Sequence, residues 1–200
     1  MTQEDKGWEE YYRAIKGRPP RQLVLDALTY FASDSPPSKR KAIDLGCGDG
    51  TETAVLLEHG WEVLAIDGEP ASIEYLLAKV PKEKQSNLQT QMAEFEDVSL
   101  TSADLVHASF SLPFCAPEHF DVFWGKVMTA IKSGGRFAGN FFGVRDSWAN
   151  KPDMTFHTEE QIRKLIENFE IEYFHEMDED GNSANGPKHW HVFTVIARKK

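Results

Sequence analysis

The chain has 200 residues, a formal net charge of −10 and two cysteines. None of its basic runs is longer than the three residues of Lys39-Arg40-Lys41, too short to neutralise a nucleic-acid backbone, no apolar run reaches membrane-spanning length, the N-terminus reads as polar rather than as a signal sequence, and two cysteines build no disulfide framework. A single α/β unit in the cytosol, monomeric or homodimeric and without nucleic-acid or membrane partners, is the expectation.

In chain order, Trp8, Tyr11, Tyr12 and Ile15 recur at helical spacing until Gly17 and Pro19-Pro20 interrupt the pattern. Residues 1–38 therefore form either a helical cap that closes over a ligand held by residues 39–200, or a helix whose aromatics simply dock on the core. For the cap, Tyr12, Arg13 and Arg18 are the candidate ligand contacts and the Gly17–Pro20 break is its hinge. A second helix is predicted over Arg21–Phe31 and a loop over Ser33–Ser38.

Lys41-Ala-Ile-Asp44-Leu-Gly46-Cys-Gly48-Asp49-Gly50 then reads as a strand running into a glycine loop, followed by a helix from Thr51 to His59 and a strand, Glu62–Asp67, that ends in an acid. Strand, glycine loop, helix, strand and acid make one mononucleotide-binding half-unit. The third glycine comes one residue too early for a dinucleotide fingerprint, which disfavours a nucleotide-dependent oxidoreductase. Asp44 and Asp49 flank the loop, and no basic residue lies between Lys41 and His59. Such a loop suits a cationic ligand better than a pyrophosphate.

The remaining pattern predicts a helix at Pro70–Val80, strands at Leu88–Phe95 and Ala103–Phe110 joined by a loop, a helix at Pro117–Ile131 and a strand at Arg136–Phe142. Thr158–Phe169 is a helix opened by a Thr158–Gln161 capping box. Glu170–Met177 and His189–Ala197 pair as an antiparallel hairpin around an Asp180–Pro187 loop.

The ordered set Ile43–Gly50, Asp67, Met92–Asp97, Asp104–Phe110 and Ser133–Gly139 resembles the class I S-adenosylmethionine (SAM)-dependent methyltransferases, with the short build of the tellurite-resistance-like, small-molecule type. The resemblance implies a Rossmann-like α/β fold: a mostly parallel seven-stranded sheet with an antiparallel C-terminal hairpin and helices on both faces. It also implies a cofactor site of Asp44, Gly46, Cys47, Gly48, Gly50, Asp67, Gly68, Glu94, Phe95 and Ser109, with Asp67 on the ribose and Glu94-Phe95 at the adenine. The expected product is S-adenosylhomocysteine (SAH), and a non-catalytic SAM sensor or partner subunit is the rival reading.

Displacement at an activated methyl needs positioning first and a general base only for protonated acceptors. Tyr12, Arg145 and His157 are the catalytic candidates: Tyr12 from the cap, Arg145 as an anion-binding group beside Phe142 and Trp148, and His157 as a titratable group. An Arg145–Asp146 surface pair is the bland alternative, and His107 inside its strand reads as structural. His189 and His191 share a strand face, but no neighbouring carboxylate completes a zinc spacing, so no metal is expected. Ser109-Phe-Ser-Leu-Pro113-Phe114 lacks the Asn/Asp-Pro-Pro-aromatic signature of amino-group DNA enzymes, and Cys115 follows Phe114 rather than a proline. A small-molecule acceptor is the remaining expectation.

Overall fold

The computed structural model describes residues 3–15, 17–32, 39–184 and 186–200, apart from the side chains of 3–6, 9 and 10. The Ser33–Ser38 loop, and with it the expected boundary after residue 38, falls outside the described residues. Helices α1 (Gln3–Ala14) and α2 (Gln22–Ala32) precede an alternation of β1 (Lys41–Leu45), α3 (Thr51–Glu58), β2 (Glu62–Asp67), α4 (Pro70–Lys79), β3 (Leu88–Met92) and β4 (Ala103–Ala108). Helix α5 (Pro117–Ala130), β5 (Ile131–Phe142), α6 (Glu159–Leu165), β6 (Phe169–Ser183) and β7 (Gly186–Lys199) complete the chain. The seven-stranded sheet has the order β3-β2-β1-β4-β5-β7-β6, with β7 antiparallel to both of its neighbours. The Rossmann-like methyltransferase fold implied by the first motif is the fold found.

Side-chain alternation along the strands divides the core in two. Ile43, Leu45, Val106, Ala108, Phe137, Phe141, Phe193 and Val195 pack under α5 and α6. Ala42, Leu105, Ala138 and Ile196 pack under α2, α3 and α4, with Leu56, Leu57 and Leu76. Each large side chain buried this fully contributes roughly 1.5–3 kcal/mol, so the two layers outweigh the exposed ion pairs. By the same alternation, Asp44, His107, Asn140 and Thr194 fall on the α2 face. No helix among the described residues is long and apolar enough to cross a membrane.

Several element boundaries differ from the sequence reading, among them the end of α6, at Leu165 rather than Phe169, and the end of β4, at Ala108 rather than Phe110. Strand β5 begins at Ile131 rather than Arg136, because Ile131 already pairs with Ala103 and the turn expected at Ser133-Gly134 is absorbed as an irregularity, with Gly134 at φ 77°. Strand β3 stops at Met92, and Phe95–Asp97 forms a 3-10 turn on the way to β4. The Asp180–Pro187 loop is mostly strand: Asp180 pairs with His189, and the ladder continues to Ser183–Gly186. A polar, glycine-containing stretch zips up here because it extends a register already fixed by the apolar residues below. The capping box holds as expected, with Thr158 accepting from the Gln161 N–H and Gln161 reciprocating.

Candidate active site

The glycine loop leaves β1 through a left-handed residue, Gly46, at φ 65°. Ser111 fills the space where a side chain would stand there, its hydroxyl donating to the Leu45 carbonyl at 2.6 Å. Gly50, at φ 74°, opens α3 against α4, and a Cβ on it would lie 2.9 Å from the Leu76 Cα. Gly48 differs from both: a Cβ there would meet only a Tyr12 ring carbon at 3.6 Å, so the face of this residue is open apart from α1.

At the end of β2 the Asp67 carboxylate accepts from the Gly48 N–H at 2.8 Å and from the Glu69 N–H at 3.0 Å. The acid thus locks the loop to β2 and lies where β1 and β2 both terminate. Burial raises its pKa and the two amides only partly offset this. Glu94 lies alongside, its carboxylate 2.5–2.8 Å from the position of a Cβ on Gly68, and burial together with Glu96 and Asp67 raises its pKa as well. Among the described residues neither carboxylate has a cationic partner.

The other acids near the loop are already answered. Asp49 caps Thr51 and receives Lys79 Nζ at 2.5 Å, with Arg18 at 3.5 Å. Glu52 takes two bonds of 2.6 Å from Arg18 and one of 2.9 Å from the Arg21 N–H. Burial alone would raise the Glu52 pKa, but Arg18 outweighs it and holds the group at about 2. Arg18 is therefore an anchor of the N-terminal segment rather than a ligand contact, and the Gly17–Pro20 break is pinned to α3. Asp44 is also closed: one oxygen accepts from Thr53 at 2.6 Å and the other pairs with His107 at 2.8 Å, beneath the loop.

Helix α1 covers this end of the sheet. Tyr12 is 4% exposed, and its ring lies 5.6 Å from Tyr75 of α4, while Trp8 packs edge-on to Phe114 at 5.2 Å. Burial, followed by the Asp67 charge, raises the Tyr12 phenol above its ordinary pKa, so it stays neutral as a hydroxyl above the loop.

Beyond β4 the α2 face opens into a cavity of about 410 Å³. Its floor is polar: Asn140 accepts from Ser109 Oγ and from the Phe110 N–H, both at 3.3 Å, and donates to Thr194 Oγ1 at 2.9 Å. Phe110, at φ 56°, stands against the Arg21 guanidinium, 4.4 Å from its ring centroid.

Of the residues singled out in the sequence, Gly46, Cys47, Gly48, Gly50, Asp67, Gly68, Glu94 and Tyr12 gather at the loop, and Ser109 lines the cavity. Phe95 turns its ring into the core, 4.8 Å from Phe123. The structure does not bring the other two catalytic candidates here. His157 is sandwiched between Phe120 and Phe141 on the α5 face, where burial lowers its pKa to about 4. Arg145 is tied to Glu176 at 2.6 Å and Asp178 at 2.7 Å of the hairpin and does not line the cavity. Asp146 is not its surface partner: it is buried and pairs with Lys188, whose ammonium lies 3.9 Å from the Trp148 ring centroid and 4.5 Å from that of Trp190.

The hairpin also corrects the reading that no carboxylate accompanies the paired histidines. Ligand atoms of Glu176, Asp178 and His191 lie within 4.8 Å of one another. The Arg145 guanidinium holds the place a metal would take, and His191 Nδ1 accepts from the Arg145 N–H at 3.0 Å, leaving Nε2 to carry the proton that it donates to Glu176. Lys79, Arg21 and Thr194 were missed in the sequence because each reaches the site from a separate element, and Arg18 was singled out as a ligand contact rather than as the partner of Glu52. The shared parity of Ser109, Asn140 and Thr194 becomes a signal only once the strand order is known.

A family model described as a methyltransferase domain matches residues 43–137, from β1 into β5. A carboxy-S-adenosyl-L-methionine synthase of Pseudomonas syringae is 31% identical over 133 residues, 62% of this chain and 52% of that protein. The chain spans about half the length of the curated relatives it matches. Among solved structures, TehB of Haemophilus influenzae superposes with a TM-score of 0.76 at 20% identity, covering 96% of this chain and 67% of that one. The 1,6-didemethyltoxoflavin-N1-methyltransferase of Burkholderia thailandensis, crystallised with 1,6-didemethyltoxoflavin and SAH, gives 0.68 at 16% identity, with 98% and 86% covered. With its glycine loop, its strand order and a methyltransferase-domain match over residues 43–137, the chain has the fold of the class I SAM-dependent methyltransferases.

Proposed function

We propose that the chain binds SAM across the carboxyl ends of β1, β2 and β3 and transfers a methyl group to a small-molecule acceptor seated in the cavity beside β4 and β5. The observation that carries this reading is Asp67, an acid without a cationic partner among the described residues, locked at the end of β2 by the Gly48 N–H. When bound, SAM supplies a sulfonium methyl that an acceptor lone pair can displace in line, the carbon–sulfur electron pair staying on sulfur as SAH is formed. Asp67 has carboxylate lone pairs for a ribose diol, and Glu94 extends the same negative wall. The open face of Gly48 lets a ligand approach the backbone closely. Tyr12 and Trp8 exclude water from above, which supports residues 1–38 as a cap. Ser109 and Asn140 orient the acceptor. The cleft charges oppose an added carboxylate on the cofactor, so the product of the carboxy-SAM synthases is not expected here.

The small-molecule acceptor is supported by the cavity's size, within the usual range for such sites, and by the Burkholderia enzyme's own substrate. A cytosolic location and a monomeric or homodimeric state belong to the same reading; two buried, unpaired thiols support the former. Calorimetric titration with SAM, SAH and NAD(H) tests the cofactor: SAM and SAH should bind and NAD(H) should not, and the reverse would sink the assignment. A methyl-transfer screen then separates an enzyme from a sensor, which would bind SAM without releasing SAH. Hydrogen exchange tests the cap, which should gain protection over Trp8–Ile15 when SAH is added.

A further inference from the structure

Four arginines of the described structure hold a carboxylate: Arg18 with Glu52, Arg136 with Glu172, Arg145 with Glu176 and Arg163 with Glu159. Arg21 does not. Its side chain makes one long bond, 3.5 Å, to the Tyr11 hydroxyl and otherwise lies over the Phe110 ring, where it lines the cavity. Arg198 also holds no carboxylate among the described residues, but it lines a separate recess with Ser133 and Lys200; Arg21 stands in the cavity beside Ser109 and Asn140, where an unpaired guanidinium in a chain of net charge −10 calls for an anionic ligand. Its main-chain N–H is fixed on Glu52, which anchors the backbone that carries the side chain.

The rest of the lining says what the anion is attached to. Phe110, Met177 and Val192 give apolar walls, and Phe110 presents a ring beside the guanidinium. Thr194 accepts from Asn140, which leaves its own hydroxyl hydrogen to donate into the cavity. Asp26 lies on the same lining, its carboxylate bonded by Gln22 at 2.8 Å, and a second negative charge on the ligand would be repelled there. A monoanion is favoured over a phosphate dianion.

We propose that the acceptor is a small planar carboxylate, its ring against Phe110, Met177 and Val192 and its carboxylate in the fork of Arg21. This rests on the methyltransferase reading above and makes Arg21 the specificity-determining residue of the acceptor site. Tyr11 links that residue to the cap helix, so the acceptor's charge and the cover over the cofactor meet at one side chain.

Ligand-observed NMR with benzoate, benzamide and phenyl phosphate, run with and without saturating SAH, tests it. Benzoate should bind about tenfold or more tightly than benzamide, the usual worth of a charge-assisted bond. Arg21→Met should erase that preference and Arg21→Lys restore part of it, while SAH titration of both variants should match the wild type and so report an intact fold. Equal binding of benzoate and benzamide, a preference that survives in Arg21→Met, or tighter binding of phenyl phosphate would each overturn the proposal. Failure of the wild-type protein to bind SAH would overturn the cofactor reading instead, and the benzoate comparison without SAH keeps the two outcomes apart.

Discussion

The two ends of the sheet's upper edge treat charge in opposite ways. Where β1 and β2 end, Asp67 and Glu94 keep charges that no cation answers among the described residues, and their pKa values are raised by burial. Where β5 and β6 end and β7 begins, Arg145 meets Glu176 and Asp178, His189 meets Asp178 and Asp180, and Lys188 meets Asp146. There the partners hold Glu176 and Asp178 below their usual range, with His191 and His189 the respective leading causes. A density of charged residues is therefore a poor guide to a site; the balance of charge is a better one. The end whose carboxylates are paired is a clamp on the hairpin, and in the proposed reading the end whose carboxylates are not is poised for a cationic ligand.

The largest effect that would sharpen this contrast comes from cutting the clamp's buried pair. Lys188 and Asp146 have side chains 1% and 0% exposed, and Asp146 also receives the Trp148 N–H at 3.0 Å and the His191 N–H at 3.2 Å. Lys188→Met keeps the aromatic contacts but strands the carboxylate, and should cost about 3–5 kcal/mol in chemical denaturation. The double variant Lys188→Met with Asp146→Asn should recover most of the loss. SAM affinity of whatever remains folded should be unchanged; a selective loss of SAM binding at normal stability would make this end part of the cofactor site.

His157 gives the next largest effect and acts through pH. Its pKa is lowered from 6.5 to about 4 by burial, so the unfolded chain binds the extra proton first as pH falls. Its contribution to stability is complete above pH 6.5 and declines as the pH drops through the window to about 4, a loss of at most about 3 kcal/mol. Replacing it by Phe should flatten the stability profile in that window, and an acid-side activity loss independent of unfolding would restore His157 as a functional group.

At the opposite end, Asp67→Ala should weaken SAM binding by about 1.5–3 kcal/mol, roughly 10- to 150-fold. Its denaturation midpoint should move less than that of Lys188→Met, since the Asp67 change removes the carboxylate together with the bonds it accepts and strands no buried charge. Wild-type affinity in Asp67→Ala would remove the ribose assignment and, with it, the asymmetry between the two ends.

How much of this could be read beforehand follows from chain distance. The glycine loop and Asp67 lie within one strand–helix–strand unit, where glycine spacing and the terminal acid are local facts, and they were legible together with the alternation that sets the fold. The neutralisation of Asp49 by Lys79 and of Glu52 by Arg18 was not, because the partners lie about one helix or more away in sequence and meet only through packing. The sequence argument rested the acidic wall on Asp44 and Asp49, which the structure pairs with His107, Thr53, Lys79 and Arg18; in the proposed reading Asp67 and Glu94 make that wall instead. His157 and Arg145 were singled out by residue type and nearness to the end of β5, and the loop between β5 and α6 places one against the α5 face and the other against the hairpin.

Arg145 is where the smallest effect is expected, and it tests the contrast from its weak side. Its side chain is 54% exposed, and both carboxylates that hold it are themselves more than a third exposed, so solvent and salt screen the pairs. Loss of the guanidinium leaves the loop after β5 attached through the Gly143 N–H to the His191 carbonyl, the Ser147 N–H to the His189 carbonyl and the buried Asp146 pair. Arg145→Ala should therefore leave the denaturation midpoint, the SAM affinity and the KM of the acceptor within error of the wild type. It should also free Glu176, Asp178 and His191 of their resident cation, and a zinc titration of the variant reads whether that cation alone kept the cluster from binding metal. A rise in acceptor KM at unchanged stability would return Arg145 to the acceptor site and show that the clamped end contributes to recognition after all.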